Sequence, residues 1–313
     1  MFAAFLTTVL FSISAVCGSR TARLLGGTEA NFWRLCFAAG LLAIYSHAFG
    51  GGVSGNAFPI FLISGCIGFG IGDMALFQAL PRLGSRLSVM LTLCLSSPLA
   101  ALMEWRWLGT ELSLAEINCA LVILAGVAIA LAPGKQSPMP GGQLGWGIAF
   151  GLVASLCQAL GAVLSRKAFS VAQLAGENID GITAAYQRIL GGVAVGAILL
   201  LLVKRESVVD VLIGGENFSA LKNATSAGRW QQAWPWVLAN GLAGPALGVS
   251  CYQWALKTTP TGVVLPIVAI TPLVIIPFSY YLEGERPSLR SLVGGALAVL
   301  GAAALAWVVN PAK

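Results

Sequence analysis

Charge is what this sequence has least of. Asp, Glu, Lys and Arg make up 10% of its 313 residues, against roughly 25% in soluble domains, so a water-facing surface cannot be built from it. Histidine occurs once, at His47, and aspartate three times, at 73, 180 and 210. So sparse a set leaves no metal ligands and no acid cluster for an acyl- or phosphotransferase. The seven cysteines (17, 36, 66, 94, 119, 157, 251) all fall inside apolar runs with no C-x-x-C pair; they read as small packing residues rather than redox centres. GFGIG at 68–72 lacks the lysine and preceding strand that a phosphate loop requires, and no Walker motif stands elsewhere. These absences exclude a soluble enzyme, a disulfide-stapled secreted chain and an ATP-driven pump. No catalytic residue, metal or cofactor is expected.

The formal net charge of +6 is spread rather than clustered, which argues against nucleic acid as a partner. The basic residues stand singly or in pairs at the ends of apolar runs, where Lys and Arg anchor helices at lipid headgroups.

What the sequence does hold is apolar length: 57% of residues are hydrophobic and the mean hydropathy is +0.84. Apolar runs fall at about 3–19, 32–49, 57–80, 86–103, 115–132, 143–165, 182–203, 234–256, 262–282 and 291–309. They are long and continuous rather than alternating in ~10-residue pieces, so helices rather than a barrel are expected. At ~20 residues per crossing, ten helices fit. The first run has no basic segment ahead of it and reads as a retained span rather than a cleaved leader. The expectation is an all-α, integral, multi-pass membrane protein with ten transmembrane helices.

The Pro/Gly stretch at 133–142 divides five runs from five, so 1–132 and 143–313 are the expected halves. Landmarks recur across the division. Pro98 and Pro272 are 174 residues apart, as are Glu111 and Glu285; Ala79-Leu80 and Ala255-Leu256 are 176 apart; Arg34 and Arg188 each open a second run. Four pairs in one order point to duplication. Five helices is an odd number, so the halves would lie inverted in the membrane, the construction used by many secondary transporters with a substrate site near the midplane.

Five plus five spans, the two arginines, the P-L…G-x-E pattern after Pro98, and GDMALFQALPRLGSRL in the third run resemble the EamA family of the drug/metabolite transporter superfamily. The resemblance implies a ten-helix fold and transport, often export, of small polar or amphipathic metabolites, and so points away from an enzyme. It implies a bacterial plasma (inner) membrane and termini in the cytoplasm. The Lys and Arg count gives the opposite orientation, with twelve in loops after odd-numbered runs and six on the other side. The expected partners are a small-molecule substrate and membrane lipid, with monomer and homodimer both open. The rival function in the same fold is a lipid or lipid-linked sugar flippase.

Asp73 is the one aspartate well inside a run. A charge there costs ~2.5–3.5 kcal/mol on insertion scales, so it should face a cavity or a partner, and a desolvated carboxyl suits proton coupling. Aligning the halves sets Asp73 against Val249 and Phe77 against Gln253, each pair four apart on one helical face. An asymmetric polar cavity is therefore expected, lined by Asp73, Phe77, Gln253 and Tyr252, with Gln158 and Asn240 as further candidates. Pro98 and Pro272 are candidate kinks or hinges. Arg34, Arg188, Glu111 and Glu285 are structural or gating charges. For the arginines, snorkelling from a span's start is expected to outweigh attraction of an anionic substrate. Gly65, Gly68, Gly72, Ala75 and Ala79 are expected to form one stripe at helical spacing.

Overall fold

The computed structural model describes residues 2–108, 113–131, 141–213, 216–259, 261–284 and 287–309. Glu111, Glu285 and most of the expected linker lie outside the described residues. Everything regular among the described residues is helical. The chain runs α1 (Phe2–Leu25), α2 (Gly27–Ala48), α3 (Phe58–Gly65), α4 (Asp73–Leu108), α5 (Leu114–Leu131), α6 (Gly141–Leu174), α7 (Gly181–Ile213), α8 (Glu216–Gly241), α9 (Val249–Thr258), α10 (Thr261–Val268), α11 (Thr271–Glu283) and α12 (Leu289–Val309). Two π-helical turns, Cys66–Gly72 and Leu242–Gly248, join α3 to α4 and α8 to α9 without a break.

By length and composition, four of the described stretches are apolar enough to cross a membrane: Phe2–Leu25, Phe58–Ala100, Gly142–Leu174 and Gly181–Val203. Large apolar side chains face outward along the bundle, Ile44 and Leu201 at 72% and Trp307 at 74% exposure. Such a surface is unfavourable in water and natural against lipid tails. Inside, small and hydroxylated residues let the helices approach closely. Along α1, Thr7, Thr8 and Ser12 return hydrogen bonds to their own helix and also reach Gly248, Ile267 and Thr271 carbonyls.

Three expectations change. The stretch 204–233, which lies between the apolar runs ending at 203 and starting at 234, is helical on both sides of residues 214–215. The span at 262–282 is broken at Ala269–Ile270, and Pro272 sits in the first turn of α11, where its missing N–H costs no helical hydrogen bond. Pro98 lies within α4, but the non-helical residue there is Gly84, at φ 80° and ψ 166°. That conformation is essentially restricted to glycine. Gly84→Ala is expected to cost about 1–3 kcal/mol and to lower the melting temperature in detergent. Gly40→Ala, whose added carbon meets open space, should not lower it.

Candidate functional site

The two π turns decide how the site is assembled. A π turn is wider than an α turn and shifts the faces on either side of it. The expected single stripe of small residues is therefore split. Gly65 and Gly68 face α7, where carbons added to them would meet the Arg188 backbone and guanidinium, whereas Gly72 faces Cys157 on α6. A stripe at 3.6 residues per turn cannot run through a segment that does not keep that period.

A matching arrangement surrounds Arg34. A carbon added to Gly241 would lie 2.9 Å from the Arg34 carbonyl oxygen, and one added to Gly244 would lie 3.3 Å from its guanidinium. Gly241 and Gly244 stand 176 residues after Gly65 and Gly68. Each arginine is thus seated against a π turn from the other side of the chain's midpoint.

Neither arginine snorkels. Arg34 is 5% exposed and Arg188 2%, both a full turn or more inside α2 and α7. Arg34 pairs with the Asp73 carboxylate, donates through Nε to Asn31 Oδ1 at 3.0 Å, and lies over the Phe77 ring at 4.5 Å. Asn31 in turn donates to the Phe69 carbonyl in the first π turn at 3.2 Å. This network fixes both the ion pair and the turn.

Arg188 is held differently. Its guanidinium lies over the Phe69 ring at 4.8 Å, and its Nε and Nη1 have no hydrogen-bond partner among the described residues. Tyr252 is near both Arg188 and Gln158, without a well-formed bond from its hydroxyl. Val249, where the halves' alignment would repeat Asp73, is an apolar residue 3% exposed.

These groups converge on one interior cavity. Asp73, Phe77, Tyr252 and Gln158 line it, as do both arginines. Gln253 and Asn240 are not on its wall. Gln253 is fully buried, both its amide atoms unpartnered among the described residues, and Asn240 accepts a hydrogen bond from Ser14 at 2.7 Å.

A model of the EamA-like transporter family matches residues 1–132 and 145–307. The chain belongs to that family. No curated protein matches it. A solved crystal structure of a protein at 17% identity superposes over 98% of this chain and 96% of its own length, with a TM-score of 0.62; at that identity the likeness speaks to the fold alone. As a member of the EamA-like family, the chain is an integral multi-pass membrane protein of a transporter group rather than an enzyme group.

The EamA-like chain also carries polar groups that hydropathy and spacing do not single out. Asn31 was legible only as a polar residue before the expected start of the second run. Glu283, in α11, accepts from Ser85 and lies 3.8 Å from Arg23, while Arg20 donates to the Leu282 carbonyl. At the opposite end, Glu177 takes the Asn56 amide through both carboxylate oxygens at 2.9 and 3.1 Å, and Lys257 donates to Asn178 at 2.6 Å.

Proposed function

We propose that this chain is a secondary transporter of small metabolites that works by alternating access, with Asp73 as its coupling acid and the cavity as its substrate site. The observation that carries it is the buried Arg34–Asp73 pair on the wall of an interior cavity. A few polar groups converging in an otherwise apolar cavity are what small-molecule sites present, and ionisable groups at membrane depth are retained at a cost that function explains best.

The ten-helix, inverted-repeat architecture is part of the same proposal. The helices from α1 to α5 and from α6 to α12 each hold a buried arginine, a π turn and a closing apolar helix, and α5 packs against α12 through Gly126 and Gly294. Polar ties at both ends, centred on Glu283 and Glu177, are what an alternating gate needs. In this scheme a proton on Asp73 removes half of the ion pair and frees Arg34, linking protonation to substrate occupancy. A bacterial inner membrane is the proposed address.

The test is accumulation in cells producing wild type or Asp73→Asn, challenged with amino acids, nucleosides, sugars and toxic amphiphiles. Wild type is expected to lower accumulation of one class, and Asp73→Asn to abolish that effect while reaching the membrane in equal amount. Equal activity of the two removes Asp73 from the mechanism. No activity from either, with both in the membrane, turns the assignment towards a lipid flippase.

A further inference from the structure

The cavity is asymmetric in charge, and the asymmetry has a chemical consequence. Among the described residues its lining holds two guanidinium groups and one carboxylate. Asp73 neutralises Arg34. Arg188 sits on the same wall, 2% exposed, with no carboxylate within ion-pair distance among the described residues and two guanidinium nitrogens unpartnered. A buried cation left in that state is costly unless something completes it.

Two glycines seat the guanidinium at this wall. Carbons added to Gly68 and Gly161 would each come within 3.0 Å of Arg188 Nη2. The place that a second Asp73 would take is filled by Val249, which lines the same cavity. The surroundings are otherwise apolar and aromatic: Phe11, Phe69 and Phe77, with Tyr252 and Gln158 supplying the nearby polar atoms.

We infer that the substrate is an amphipathic organic carboxylate whose carboxyl group completes Arg188, standing to it as Asp73 stands to Arg34, with its apolar or aromatic body against the phenylalanines. Guanidinium groups favour carboxylates by geometry as well as by charge. The inference rests on the transporter proposal and deepens it by assigning the substrate's class and the residue that reads it.

The experiment uses the purified full chain in neutral detergent, and matched pairs differing only at the charged group: benzoate and benzamide, phenylacetate and phenylacetamide, N-acetylphenylalanine and its amide. Thermal stabilisation gives binding, and counterflow in proteoliposomes gives transport. Carboxylates are expected to stabilise the protein and their amides not to. Arg188→Gln is expected to weaken carboxylate binding by about 30-fold or more, and Arg188→Lys by less. Should Arg188→Gln fail to fold, Val249→Asp serves in its place. It supplies the missing carboxylate from within, so it is expected to fold and to lose carboxylate binding.

Amides binding as well as carboxylates, no stabilisation by any carboxylate, or full affinity in Val249→Asp overturns the inference. So does stabilisation by short-chain phosphatidylglycerol alone, which makes the occupant a lipid headgroup. Carboxylates that bind but do not move in counterflow would sink the transporter proposal and leave the anion site standing. Movement of neutral solutes without carboxylates would do the reverse.

Discussion

Replacing either partner of the buried ion pair singly, by Arg34→Leu or Asp73→Leu, is expected to destabilise the protein by about 3–5 kcal/mol, the range for orphaning one buried charge. The double variant Arg34→Leu/Asp73→Leu should recover most of that loss, because a well-packed apolar pair replaces both charges. It should not recover transport. Melting temperature in detergent and flux in proteoliposomes, measured on all three variants, separate the two roles of the pair. Flux surviving in the double variant would make the pair a packing device and end Asp73's candidacy as the coupling acid. Arg188 sharpens the comparison, since it has no carboxylate partner among the described residues to orphan. Its removal should therefore harm stability much less than removal of Arg34.

Gly65→Ala is expected to be among the most disruptive single-carbon additions in the molecule. The new carbon would stand 2.5 Å from the Arg188 carbonyl carbon and 2.8 Å from its Cα, and backbone atoms in a packed helix cannot swing aside. Overpacking usually costs about 1–3 kcal/mol, and a backbone collision should reach or exceed the top of that range. Gly68→Ala differs, because its carbon would meet only the far end of the Arg188 side chain, at 3.0 Å. It should fold close to wild type while displacing the guanidinium, so binding should suffer more than melting temperature. A large loss of stability in Gly68→Ala with normal stability in Gly65→Ala would show that α3 and α7 do not meet as described.

How far the sequence foretold these features depended on which physical signal each one carries. Asp73 was legible because aspartate is so scarce that one inside an apolar run stands out. Phe77 followed from helical spacing and the alignment of halves, and it lines the cavity together with the further candidates Tyr252 and Gln158. The arginines were found but misread. Hydropathy places the start of the second run at residue 32, whereas α2 begins at Gly27. Glu29 and Asn31 lower the local hydropathy, although Asn31 is buried among polar partners. Arg34 therefore looked terminal while lying two turns deep. The π turns left no periodic signature, since CIGFGIG and LAGPALG are too uniformly small and apolar for a phase shift to show. Gln253, aligned with Phe77, lies off the cavity wall, which pairwise spacing along one helix cannot foresee.

The count of charges around the cavity sets its electrical behaviour. Among the described residues, two guanidiniums and one carboxylate leave the empty site with one net positive charge, and a bound monoanion cancels it. The loaded carrier would then turn over almost indifferent to the membrane potential, while the empty carrier would feel about 2.3 kcal/mol per 100 mV for the fraction of the field its charge crosses. Voltage would act on the return stroke. A protonated Asp73 adds a second positive charge to that stroke, so pH and potential would bear on the same half of the cycle.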